Sequence, residues 1–442
     1  MRHPGTPYPA GMIPSPRAGV PRLVRMGSLA VAAVYLGACW GFFGGHARWP
    51  GSDSYEQLAR HLADGQGYSV DGVNPTALRP PLYPLILAAT MRATAGGWFL
   101  ATVLLQALVA ALCLMLVFAL ARACWPGSRA PWLAAGLLAL HGPFMFEMLS
   151  LRETAWFTLA LLGVAWLLRH RPRTAAHAVA LGVLLASLYL LRPTGLVVGG
   201  VTLAFLGWSV VQRQSGAGRT LAIVLAAGVA VVAPWQAFTW RNFGAPGFFP
   251  ASSNGYNLFK GADPEITRVL PWIDADTLDA RLAPLAGNIP ATDERAIDRE
   301  FRRRAIGLIR EKPAAMIGRL ALSAGEFLSP LPIPLGTGAF RAAGGGIVID
   351  DFRLDWPEVA FAPVVAALLV SACGGLRPLW RRQGDPGGLG LWMVIVFASF
   401  LAIHALTFTK TRYRLPLDAL LAIPAGGWLA GVKRRVPPTD AR

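Results

Sequence analysis

Long stretches of uncharged, apolar residues recur along this chain. Many come close to the ~20 residues that a helix needs to cross the hydrocarbon core of a bilayer. Ten stand out, at 23–45, 97–121, 131–149, 153–168, 175–191, 194–211, 220–237, 358–376, 388–408 and 415–432. Only 15% of the 442 residues are charged and 54% are apolar, against roughly 25% charged in ordinary soluble domains. A soluble fold could not keep such a composition in solution. Disordered, collagen-like and coiled-coil classes are excluded on the same grounds. The pattern therefore predicts an all-α polytopic membrane protein in one domain, 23–432. Residues 1–22 read as a disordered cytoplasmic tail and 433–442 as a second cytoplasmic tail. The first stretch is too long for a signal-peptide core, and no small-residue cleavage site precedes Trp40.

Orientation follows from where Lys and Arg fall in the short connections. With the N-terminus inside, the inside segments hold Arg2, Arg17, Arg22 and Arg25, then Arg122 and Arg129, then Arg169, Arg171 and Arg173. They continue with Arg213 and Arg219, Arg377, Arg381 and Arg382, and end with Lys433, Arg434, Arg435 and Arg442. The only acids among them are Asp385 and Asp440. Nearly all of the net charge of +17 is thus a positive-inside signature, and nucleic acid is not expected as a partner. Segment 313–330 is apolar enough to make an eleventh span. Counting it would move the Lys433–Arg435 cluster outside, so it is expected to lie on the membrane surface or re-enter. Two large loops, 46–96 and 238–357, then face outside. A protein with its polar mass on one face is expected to work there.

The four cysteines are scattered and the seven histidines show no ligand spacing, so redox and metal-centred chemistry have little support. In the first loop, Tyr55, Leu58, Ala59 and Leu62 form the apolar stripe of a short helix over 53–64. Asp53 stands at its start. Asp53-x-x-Glu56 has the form of a helix cap, but Ser54-x-x-Gln57 offers a rival cap that would free Asp53 for chemistry. Further on, Pro75-Thr76-Ala77-Leu78-Arg79-Pro80-Pro81-Leu82-Tyr83-Pro84 holds Arg79 on a stiff segment. A guanidinium there suits phosphate, with forked donors and permanent charge. It equally suits a side chain snorkelling to the interface.

These residues resemble the GT-C superfamily of polytopic glycosyltransferases that use polyprenyl-phosphate sugars. The motifs are Asp53 with Tyr55, Gly65-Gln66-Gly67-Tyr68 and Arg79-Pro80-Pro81-Leu82-Tyr83-Pro84, in order after a first span. The nearest branch is glycosyltransferase family 39 and its relatives, among them protein O-mannosyltransferases, the lipid A aminoarabinose transferase and the rhizobial galacturonosyltransferases. Later matches are Leu151-Arg152-Glu153-Thr154, where the family has Ser-Glu, and Leu191-Arg192-Pro193-Thr194-Gly195-Leu196. Pro234-Trp235 with Arg241-Asn242, and Arg412-Tyr413-Arg414-Leu415-Pro416, complete the set.

The resemblance implies a GT-C-like bundle of 10–11 transmembrane helices with outside amphipathic helices. It implies an inverting transferase at the outer face of the inner membrane, moving a sugar from a polyprenyl-phosphate donor to a lipid, glycan or protein acceptor. The first-loop acid becomes the catalytic base, here Asp53, taking the acceptor's proton. Arg79, Arg192, Arg241 and Arg414 become candidates to stabilise the departing phosphate, with Tyr83, Asn242, Arg412 and Tyr413 beside them in substrate binding. Glu153 becomes a second acid near the acceptor. No cofactor is required by the motifs; a divalent ion on Asp53 and Glu153 stays open, since two carboxylates do not define a site. Loop 238–357 carries no recognised motif and is the region where acceptor choice could reside. A transporter or flippase of lipid-linked sugars is the alternative, although its usual mid-membrane ionisable residues and internal repeats are missing. Another envelope transferase, such as an O-antigen ligase, is a further alternative.

Overall fold

The computed structural model of the chain describes residues 19–51, 54–170, 174–244, 251–264, 266, 283–290, 292–331, 336–343, 346–354, 359–380, 388–407 and 409–431. Statements about structure concern these residues. Most of both expected tails, and Asp53 itself, lie outside them.

Every expected span is occupied by helix. The first is α1 (Arg22–Phe43). Loop 46–96 folds into α2 (Tyr55–Ala63) and α3 (Leu82–Thr94). The bundle continues with α4 (Trp98–Cys124), α5 (Ala130–Ala139), α6 (Gly142–Leu149), α7 (Thr154–His170), α8 (Ala175–Leu191), α9 (Gly195–Val211) and α10 (Ala217–Phe243). The long loop contributes α11 (Asn254–Ala262), α12 (Glu294–Glu311) and α13 (Pro313–Leu328). It also contributes the antiparallel hairpin β1 (Gly336–Ala343) and β2 (Gly346–Leu354), in which Phe340 is opposite Ile349. The last helices are α14 (Ala362–Trp380), α15 (Leu389–Leu406) and α16 (Leu415–Leu429). The chain is thus a polytopic helical membrane protein, with one hairpin added to the helices that the apolar pattern predicts.

By length and composition, α1, α4, α10, α14 and α15 can each cross a membrane. The stretch 131–149 is two helices, α5 and α6, bent by 64°. The break has a local cause. Pro143 cannot donate a helical hydrogen bond, and His141 Nδ1 accepts the Phe144 N–H at 3.1 Å, capping a new helix.

The core runs through α4, α7 and α16. Helix α16 has only 15 residues, about 22 Å at the helical rise, short of the ~30 Å hydrocarbon thickness. It is nonetheless buried almost throughout, from Leu415 to Gly427. Small residues let its neighbours approach. A Cβ on Gly375 of α14 would collide with the Pro424 backbone, the close helix contact that membrane interiors favour.

Segment 313–330 forms α13, which is not among the helices long and apolar enough to span. It buries Arg319, Ser323 and Phe327 against the bundle and exposes Ile317 and Leu322, at 69% and 68%. In the first loop, Tyr55, Leu58 and Ala59 are buried as the stripe requires. A second helix, α3, follows the proline segment there and buries Tyr83, Leu87 and Met91.

Candidate functional site

The first loop is fixed to the segment before α7 by backbone. Leu151 N–H donates to Pro50 C=O at 3.0 Å, and Gly51 forms an isolated parallel bridge with Leu151. The Trp49 indole N–H reaches Leu149 C=O at 2.8 Å. Only glycine fits this contact. Gly51 has φ 108°, and a Cβ there would lie 2.9 Å from the Leu151 nitrogen. Each bridge partner stands two residues before a candidate acid, Asp53 and Glu153. Helix α2 begins at Tyr55 with Ser54 in the cap position. Ser54 has φ 69°, a left-handed conformation that costs a non-glycine residue of order 1 kcal/mol or more. Its hydroxyl makes no capping bond.

Glu153 is buried, and its partner comes from the end of α8. Arg192 Nε donates to Glu153 Oε1 at 2.8 Å, and Nη2 lies 2.6 Å from the same oxygen. Arg192 Nη2 also donates to Thr154 Oγ1 at 3.1 Å, and the Thr154 hydroxyl donates to Glu147 Oε1 at 2.9 Å. Arg152 reaches Glu147 Oε2 at 3.2 Å. The arginine next in sequence to Glu153 thus bonds Glu147, while Arg192, 39 positions away, holds Glu153. Burial alone would lower the Arg192 pKa, but the Glu153 carboxylate more than offsets it and keeps the guanidinium charged. Arg192 Nη1 is buried with no hydrogen-bond partner among the described residues.

Aromatic rings surround this pair. Arg192 lies 5.3 Å from the Phe157 ring centre and 5.7 Å from that of Tyr413. Arg412 is 5.3 Å from Tyr413, whose ring stacks on His404 at 4.7 Å. On the first-loop side, Tyr83 is fully buried and edge-on to Tyr55 at 5.1 Å. Burial, then the Glu153 charge, push the Tyr83 hydroxyl well above its ordinary range. Arg79 lies 5.7 Å from the Tyr55 ring centre. Its carbonyl accepts the Tyr68 hydroxyl at 2.9 Å. Glu153, Arg192, Tyr413, Arg412, Tyr83 and Arg79 are therefore gathered around Tyr55 and Phe157.

Two expected groups stand elsewhere. Arg414 is buried at 1% exposure. Its Nε donates to both Asp418 oxygens, at 2.9 and 3.2 Å, and its Nη1 donates to the carbonyls of Phe327 and Ser329 at 2.6 and 2.7 Å. Asp418 also accepts from His141 Nε2 at 3.1 Å; that nitrogen carries the proton because Nδ1 already accepts a backbone N–H. Arg414 thus ties α13 to α16, and Asp418 continues the link to His141 at the start of α6. Arg241 and Asn242 are exposed at the end of α10. They line a cleft of about 530 Å³ with Gln66, Tyr68, Ser69 and Phe238. Sequence reasoning missed Glu147, Thr154, His141 and Asp418; only Asp418, four residues after Arg414, had a readable spacing.

Among the described residues, no three His, Cys, Asp or Glu side chains are grouped to hold a metal ion. Glu153 is already committed to Arg192. The described residues do not make a cation site, and Asp53 lies outside them.

No protein-family model and no curated protein matches the chain. Solved structures do match. The oligosaccharyltransferase of Archaeoglobus fulgidus, in complex with Zn and sulfate, aligns over 92% of this chain and 49% of its own at 13% identity and TM-score 0.52. Tethered to an acceptor peptide containing the NVT sequon, it aligns over 93% of this chain and 50% of its own at 14% identity and TM-score 0.50. The chain spans about half the length of that protein. ArnT from Cupriavidus metallidurans bound to undecaprenyl phosphate aligns over 87% of this chain and 77% of its own, at 17% identity and TM-score 0.41. The chain shares its fold with the matched half of the archaeal oligosaccharyltransferase.

Proposed function

We propose that the chain is an inverting membrane glycosyltransferase. It takes a sugar from a polyprenyl-phosphate donor and passes it to a lipid, glycan or protein acceptor at the outer face of the inner membrane. The observation that carries this reading is the Gly51–Leu151 bridge joined to the buried Glu153–Arg192 pair. Together they support a charged, aromatic-walled site joined to the first loop two residues before Asp53.

Asp53 takes the proton from the acceptor hydroxyl as that oxygen attacks the anomeric carbon. The bond between that carbon and the phosphate oxygen breaks, and its electron pair stays on the phosphate. Arg79 and the Nη1 of Arg192, which has no hydrogen-bond partner among the described residues, stabilise the charge that collects there. Glu153 holds Arg192 in place and presents a carboxylate to the acceptor side. Loop 238–357 selects the acceptor. The peptide-tethered archaeal neighbour supports keeping a protein acceptor among the classes.

The test is transfer by the purified chain in nanodiscs, given labelled polyprenyl-phosphate sugar and envelope extract. Label moving into an acceptor with matching release of polyprenyl phosphate is expected. Movement of intact donor between leaflets, with no phosphate released, would overturn the transferase reading in favour of a transporter.

A further inference from the structure

The first turn of α12 reaches across to two other elements. The Glu294 carboxylate accepts from the Thr76 hydroxyl, from the Ala77 N–H at 2.9 Å and from the Ser252 hydroxyl at 2.7 Å. Thr76 Oγ1 in turn accepts the Leu78 N–H at 3.0 Å, and Ala77 C=O accepts the Ser252 N–H at 2.7 Å. Thr76 and Ala77 are thus tied to the long loop, Leu78 is held to them through the Thr76 hydroxyl, and the next residue is Arg79. Beside Glu294, Arg295 donates to Phe243 C=O at 3.0 Å and lies 5.3 Å from the Phe243 ring centre. It holds the end of α10, next to Arg241 and Asn242.

Glu294 is not needed to start its own helix. Asp293 does that, accepting the Ala296 N–H at 2.9 Å. Its three partners all lie outside α12, and the polar groups it satisfies belong to two loops. The tied segment is also stiff. Pro75, Pro80, Pro81 and Pro84 flank it and restrict its dihedrals, so a shift at Ala77 carries to Arg79 instead of dissipating.

We propose that Glu294 is a positioning residue for the donor site. It fixes Thr76–Leu78 so that Arg79 meets the carrier phosphate, and it makes the long loop part of that grip. The inference rests on the donor reading above. A carboxylate that merely joined two loops would contribute stability and leave phosphate affinity alone.

The experiment uses the full chain in nanodiscs and a short-chain polyprenyl phosphate without sugar as the probe. Hydrogen exchange across residues 76–83 is followed in parallel. Glu294→Gln should speed exchange at Ala77 and Leu78. It should weaken polyprenyl phosphate binding about tenfold, the effect of one charge-assisted hydrogen bond, and raise donor KM with kcat held. Glu294→Asp should recover part of the affinity. In an Arg79→Ala background, Glu294→Gln should add no further loss, because it acts through Arg79. If Glu294→Gln does not fold, Thr76→Val removes a single donor and should show the same changes in smaller measure. Faster exchange with unchanged phosphate affinity would overturn the inference, as would a full additional loss in the Arg79→Ala background. An unsubstituted chain that binds no polyprenyl phosphate overturns the donor reading and takes this inference with it.

Discussion

At the scale of residues, Arg192 and Glu153 form a charge pair that burial makes costly to break. Both side chains are under a tenth exposed, so Arg192→Ala removes from the buried Glu153 carboxylate the guanidinium it pairs with. Loss of about 3–5 kcal/mol of stability is expected, seen as lower thermal unfolding of the detergent-purified protein; an unchanged unfolding temperature would deny the pair this role. Arg79 has a different character, half-buried on the Tyr55 ring. Arg79→Lys should raise donor KM nearly as far as Arg79→Ala, because lysine lacks the planar fork. Unchanged donor KM in both variants would make Arg79 an interfacial anchor. Glu153 and Arg192 could be singled out from Arg-Glu-Thr and Arg-Pro-Thr-Gly at the ends of apolar stretches. Their pairing could not, because nothing local says that Glu153 will turn to Arg192 while Arg152 turns to Glu147. Arg414 shows the same limit. Its sequence setting suits a phosphate ligand, yet Asp418 one helical turn on and the last carbonyls of α13 engage its guanidinium.

At the scale of elements, each apolar stretch marked helix, and five of these helices are long and apolar enough to cross a membrane. What they could not mark was which helices are surrounded by protein. Helix α16 reads like any other span, and its burial follows from its short length and from the small residues of its neighbour α14. The break between α5 and α6 had a signal in His141-Gly142-Pro143, outweighed by continuous hydropathy. Helix α13 carries a prediction of its own. Burial raises the Glu326 carboxyl from 4.5 to about 6, with Lys410 opposing. The folded chain then binds a proton that the unfolded chain has not yet taken up. Stability from this group should therefore grow as pH falls from about 6 toward 4.5, and be least above that window. Glu326→Gln should flatten this part of the pH profile in thermal unfolding. A profile identical to that of the unsubstituted protein would remove Glu326 as its source.

At the scale of the whole molecule, the cation pattern of the short connections predicts both termini in the cytoplasm and 238–357 outside. Single cysteines at Ser215 and Ser253, in a background without the four native thiols, should separate. In intact cells an impermeant reagent should label 253 and spare 215; the opposite result would reverse the orientation. The fold was legible because membrane insertion and loop charge are written residue by residue. The tie from Glu294 to Thr76 was not, because 218 positions separate the two and only the folded long loop brings them together. The central claim is that a first-loop carboxylate removes a proton from an acceptor as sugar leaves a polyprenyl phosphate. Asp53→Asn tests it most directly, since asparagine keeps size and capping ability but cannot take up that proton. The measurement is transfer turnover by the purified variant alongside its polyprenyl phosphate binding. Normal folding and binding with turnover lower by roughly 10²–10⁴-fold is the predicted result; near-normal turnover from a well-folded Asp53→Asn protein would contradict it.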